Sequence, residues 1–139
     1  MGVPDSIEAR RYYRCALERD EDARILLMRG DRTTGAVYLS GYAIECILKA
    51  LILSAVPGAR EHEILESFRG AKAHNYEWLR TIYLENGGAR FPPDVNQAFT
   101  LASDWTTDLR YVPRTLTLRE ADAFLAASGR ILRWASRRF

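Results

Sequence analysis

The sequence predicts an all-α domain: an up-and-down bundle of four to five antiparallel helices with one short extra helix. Three observations carry that prediction. Apolar residues recur at spacings of three, four and seven along most of the chain. Breakers such as Pro57-Gly58, Gly70, Asn86-Gly87-Gly88, Pro92-Pro93 and Pro113 fall between those stretches. No segment alternates at the two-residue strand period for long enough to compete. The 139 residues read as one domain spanning 1–139, without internal repeats or low-complexity tracts. At that size a single core buries roughly two-thirds of the unfolded surface, so neither a metal nor a disulfide is required for folding.

The first helix is expected from Ser6 to Arg29, capped by Asp5 or Ser6 and stopped by Gly30. Its apolar stripe is Tyr12, Tyr13, Ala16, Leu17, Ala23, Leu26 and Leu27, with Asp20, Glu21 and Asp22 on a solvated face. After a short turn at Asp31 to Thr34, a second helix runs to the residues before Pro57. So short a connection makes the two antiparallel neighbours. Gly41, inside the second helix, predicts a close backbone approach, by helix one or by a second copy of the chain. A short helix follows at Glu61 to Phe68, then a fourth from His74 to Leu84 with Trp78, Leu79, Ile82 and Tyr83 inward. Pro92-Pro93 delays the next helix until Asp94; it is expected to run to Leu109 with Val95, Phe99, Ala102, Trp105 and Leu109 inward. The last helix starts near Thr117, with Glu120 at capping-box spacing and Phe124, Leu125, Ser128, Ile131, Leu132 and Ala135 on one face.

Composition narrows the function classes. A net charge of +2 does not argue for nucleic acid by itself. Arginines are nonetheless gathered at the two ends, Arg10, Arg11 and Arg14 against Arg130, Arg133, Arg137 and Arg138. They form a basic patch if the ends meet, or else a solvated face. Cys15 and Cys46 lie in helical patterns without metal-ligand spacing, and read as buried thiols in a reducing, cytoplasmic setting. Met1 to Glu8 lacks the apolar core of a secretion signal. Gly35 to Ala55 is long and apolar enough for a membrane span, yet Glu45 and Lys49 stand in its middle, so it reads as the central helix of a soluble bundle.

The chain has no glycine-rich phosphate loop, no paired-histidine metal motif and no serine elbow. With His62 and His74 the only histidines, no metal site and no cofactor is expected. Glu45 and Lys49, four apart with the acid first, read as a pair locking helix two to a neighbour, or as the lining of a polar pocket. Trp105, Asp108, Arg110, Tyr111 and Arg114 gather where the fifth helix meets Pro113. Two arginines and an aromatic there could hold phosphate and stack a base. In the plainer reading Asp108 pairs with an arginine and Tyr111 fills the core edge. His74-Asn75 reads as an exposed cap of the fourth helix, catalytic only given an activating neighbour.

Tyr13 to Leu53, with its Asp22-Ala23 step, Ala36-Val37-Tyr38 and Glu45-x-x-x-Lys49, resembles the first helical hairpin of bacterial HEPN-domain proteins. His74-Asn75-Tyr76-Glu77-Trp78-Leu79 is similar to the family's His-Asp-Leu segment, with Asn75 in place of the acid, and Asp108 to Tyr111 to its Arg-Tyr element. The likeness spans about Ser6 to Ala135. It implies a helical bundle that pairs as a homodimer, often beside a small nucleotidyltransferase partner in toxin–antitoxin or related systems. Many such proteins are metal-independent RNases whose motif is an arginine followed four to six residues later by a histidine. Here no histidine follows Arg110. The expectation is therefore a non-catalytic module that binds a nucleotide, RNA or a nucleotidyltransferase partner, with Arg110, Tyr111, Arg114, Glu45, Lys49 and Trp105 as ligand-binding candidates. The alternatives are an RNase with a rearranged site in which Arg110 and His74 are catalytic, and a purely structural homodimeric adaptor.

Overall fold

The computed structural model describes residues 2–113 and 116–139. Among them the regular elements are all helical: α1 (Ile7–Gly30), α2 (Thr33–Ala55), the short α3 (Glu61–Ser67), α4 (Tyr76–Glu85), α5 (Pro93–Ala102) and α6 (Leu118–Ser136). Five longer helices and one short one make the expected all-α bundle. Single 3-10 turns occupy 58–60, 71–74 and 107–111.

Local chemistry sets the helix ends. Ser6 caps α1 through its hydroxyl, which accepts from the Ala9 amide at 3.0 Å. Helix α1 ends one residue later than expected: Gly30 stays helical, and Asp31 takes the left-handed conformation at φ 50°. Aspartate tolerates that region because its short polar side chain can bond locally. The α1–α2 turn is therefore only Asp31-Arg32. Pro92 and Pro93 open α5 rather than delaying it to Asp94, because proline at the first helical position gives up an amide that has no partner there anyway. Thr117 caps α6 by accepting from the Glu120 amide at 3.1 Å.

The largest departure lies after α5. The helix stops at Ala102 rather than continuing to Leu109, and the chain turns at Ser103-Asp104. Trp105 thereby leaves the α5 face and folds back across α2. Its indole lies over Gly41, where any Cβ would fall under 3.0 Å from the ring. The close approach that Gly41 anticipates is thus made by Trp105, not by helix one or a second copy. Leu17, expected inward, is 43% exposed, whereas Ala9, Ala16, Ala23 and Leu27 make the buried seam of α1. Small residues in that seam let α1 and α2 approach closely.

Helix α2 is the axis of the bundle, packed most extensively on α1, then on α6 and α4. It is long and apolar enough to cross a membrane, but 78% of its most apolar stretch is buried within the domain. The two chain ends meet, as the Tyr13 and Phe139 rings pack edge to face at 5.1 Å.

Candidate functional site

One face of α2 carries Tyr38, Tyr42, Glu45 and Lys49, at helical steps of four, three and four. Two of these residues bring charge into the interior. The side chains of Glu45 and Lys49 are 5% and 6% exposed. The Lys49 ammonium donates to Glu45 Oε2 at 2.9 Å and sits over the rings of Phe68 at 5.3 Å and Tyr12 at 5.6 Å. A buried pair survives only when both charges are compensated, and here the aromatic faces assist the cation.

The other carboxylate oxygen, Glu45 Oε1, accepts from His74 Nδ1 at 2.8 Å. His74 belongs to the 3-10 turn at 71–74, and Asn75, not His74, caps α4 by accepting from the Trp78 amide at 3.0 Å. The exposed-cap reading therefore holds for Asn75 alone. His74 has the neighbour that the sequence does not reveal: a buried carboxylate 29 residues away in the chain. With Nδ1 engaged by Glu45, Nε2 is the remaining ring nitrogen, and no described residue hydrogen-bonds it. The half-exposed ring lines a cleft of about 260 Å³ with Asn75, Glu77, Ser103, Thr106 and Thr107.

Aromatic packing holds this arrangement in place. The Tyr76 hydroxyl donates to the Gly41 carbonyl at 2.8 Å. The Tyr76 ring stacks on Trp105 at 5.5 Å and 9°. Tyr42 stands edge-on to Trp105 at 5.1 Å and to His74 at 6.3 Å. Trp105 is thus a buried support beneath the site. Its ring packs against Tyr38, Tyr42 and Tyr76, and its remaining edge lines the cleft beside His74.

Arg110 reaches the same region from the 107–111 turn. Its guanidinium is fully exposed, lies 4.8 Å over the Tyr111 ring, and has its pKa raised by the hydroxyls of Tyr111 first and Tyr38 second. Tyr38 and Tyr42 share a hydroxyl contact at 3.3 Å. His74, Tyr42, Tyr38 and Arg110 therefore form a continuous polar and aromatic strip. Among the described residues Arg110 makes no ion pair, so the expected pairing of Asp108 with an arginine is not formed with Arg110. Tyr111 is 72% exposed rather than filling the core edge. Arg114 lies outside the described residues.

Burial, more than any charge, pushes the Tyr42 phenol up to about 12, with the Tyr38 hydrogen bond next, while Arg110 opposes the shift. Tyr42 is therefore a neutral donor at physiological pH, not a base. Burial likewise pushes the Cys46 thiol up to about 12, which removes it as a nucleophile. No group of three or more metal-ligating side chains occurs among the described residues. Tyr42 and Tyr76 escape notice in the sequence because they read as ordinary apolar positions; only the helical register linking Tyr38, Tyr42 and Glu45 hints at a shared face.

The HEPN domain family model matches residues 9–138. The chain belongs to the HEPN domain family. No curated protein and no solved structure matches it. The match covers α2, which supplies Glu45 and Lys49, the His74 turn and the Arg110 turn, so every element of the site lies within the HEPN domain.

Proposed function

We propose that this HEPN domain binds the phosphate of RNA or a nucleotide at the strip formed by Arg110, Tyr38, Tyr42 and His74. The observation that carries the reading is the exposed Arg110 guanidinium, which lies over the Tyr111 ring and is paired with no described carboxylate. Guanidinium pairs bidentately with phosphate oxygens, and the Tyr111 ring beside it offers a face for a base. The test is fluorescence anisotropy with a labelled single-stranded RNA and with a mononucleotide competitor. Arg110→Ala should weaken binding at least tenfold, and Arg110→Lys should restore only part of it, since a point charge lacks the planar fork. Unchanged affinity in Arg110→Ala would remove Arg110 from the site.

The Glu45–His74 contact at 2.8 Å favours a second reading, metal-independent RNA cleavage. In it His74 Nε2 takes the proton of a ribose 2′-hydroxyl, O2′ attacks the adjacent phosphorus, and the P–O5′ bond breaks as O5′ takes a proton from water, leaving a 2′,3′-cyclic phosphate and a 5′-hydroxyl; the His74 proton then returns to solvent. Arg110 would stabilise the charge that grows on the phosphoryl oxygens. Cleavage measured in chelator, with His74→Ala and Arg110→Ala alongside wild type, decides between binding alone and catalysis. Loss in both variants supports the enzyme; no cleavage of any RNA by wild type supports the binding module.

Family likeness also motivates a cytoplasmic homodimer that engages a small nucleotidyltransferase partner in a toxin–antitoxin-like pair. Light scattering after size exclusion tests the dimer, and co-purification with a co-expressed nucleotidyltransferase tests the pair.

A further inference from the structure

A second basic surface lies on α6, away from the α2 face that carries Glu45 and Lys49. Arg130, Arg133 and Arg137 follow one another at steps of three and four, so they form a single exposed ridge. Helix rise spreads the ridge over about 10 Å. The ridge, with Arg138 and Trp134, walls a cleft of about 370 Å³ that faces the start of α5. From the other side comes Arg24 of α1, whose Nη2 reaches the Leu125 carbonyl at 3.5 Å. Gly129 leaves the space for it. A Cβ built there would lie 2.8 Å from Arg24 Nη2 and 3.2 Å from Arg133 Nη1. The two nitrogens are therefore no more than about 6 Å apart, and an anion between them relieves their repulsion.

Two carboxylates temper the patch: Asp20 bonds Arg24 at 3.0 Å, and Asp94 stands 3.7 Å from Arg130. Arg133 and Arg137 have no ion-pair partner among the described residues. The α6 dipole accounts for a cation in the last turn. It does not account for an arginine converging from α1 over a glycine.

We infer that the α6 ridge, with Arg24, is a docking track for the phosphodiester backbone of a single-stranded nucleic acid. Its chemistry selects that partner over others. Ile131, Leu132, Trp134 and Ala135 turn into the core, so the ridge has no apolar face to insert into a membrane. It also lacks the apolar anchors that dominate protein–protein contacts, whereas nucleic-acid interfaces are polar and strongly positive. The inference is independent of the Arg110 strip, because it places backbone contacts on a different helix.

The test is anisotropy of a labelled mixed-sequence single-stranded RNA across a salt series, comparing wild type with Arg133→Ala/Arg137→Ala and with Arg110→Ala. Both ridge residues are exposed, and circular dichroism confirms that the variant is folded. Each lost phosphate contact lowers the slope of log affinity against log salt by roughly 0.7, so the ridge variant should lose about 1.4 in slope. Its affinity at low salt should fall about tenfold or more. The same slope and affinity as wild type, or no RNA binding by wild type, overturns the track. Equal competition by poly-glutamate or by anionic vesicles overturns the assignment to nucleic acid. A ridge effect without an Arg110 effect leaves the track standing and removes only the Arg110 site.

Discussion

Gly41→Ala is the substitution on which sequence rules and the tertiary structure disagree in sign. Helix propensity alone favours alanine over glycine in a helix interior by about 1 kcal/mol. The new methyl, however, would fall under 3.0 Å from the Trp105 indole, against an ordinary contact of 3.4–4 Å. Moving the indole means breaking its packing against Tyr38, Tyr42 and Tyr76. It is 7% exposed and stacked on Tyr76, whose hydroxyl is tied to the Gly41 carbonyl itself. Overpacking of this kind costs about 1–3 kcal/mol, and expelling a buried tryptophan about 3–5 kcal/mol. After the propensity gain of about 1 kcal/mol is subtracted, the net loss is up to about 2 kcal/mol if the core absorbs the methyl and about 2–4 kcal/mol if the indole is expelled, and a loss is expected. Urea denaturation followed by circular dichroism measures it. The same substitution in a Trp105→Leu background removes the clash, and there alanine should be neutral or stabilising by up to about 1 kcal/mol. A Gly41→Ala protein at least as stable as wild type would refute the packing argument.

The remaining predictions concern buried charge and titration. Glu45→Gln or Lys49→Met alone strands a buried charge and should cost about 3–5 kcal/mol in chemical denaturation, whereas the double substitution should recover most of it; equal losses in single and double variants would show that the charges are not coupled. Alkaline pH should destabilise the fold. Cys46 and Tyr42 hold their protons more tightly when folded, each with a pKa of about 12 against 9.0 and 10.0. Between those values the unfolded chain releases protons that the native state keeps, so their contribution is complete below pH 9 and declines from there toward 12. Thermal melts from pH 7 to 11 should fall from about pH 9, and Cys46→Ala should delay the onset toward pH 10. An onset unmoved by that substitution would show that the thiol is not the group responsible.

The residue pattern alone was enough to set much of this protein. Periodicity and punctuation determine an all-α bundle, because a helix must bury a stripe spaced near 3.6 residues and breakers end it wherever they occur. Ser6 and Thr117 announce their caps for the same local reason. The pair Glu45 and Lys49 was legible because two charges in an apolar helix demand compensation, and the exposure of Arg110 because it stands at a chain break beside Pro113. What lies beyond reach is whatever depends on residues far apart in sequence. That Trp105 leaves α5 to cover Gly41 depends on a pocket shaped by α2 and Tyr76, so the periodicity of α5 itself continues misleadingly to Leu109. That His74 meets Glu45 depends on the packing of a 3-10 turn against α2, 29 residues earlier, and no local spacing encodes such a contact. The convergence of Arg24 and Arg133 over Gly129 is of the same kind. Local sequence decides which segments coil and which face they bury; only the packed bundle decides which polar side chains meet, because those distances are fixed by how whole helices dock rather than by steps along one of them.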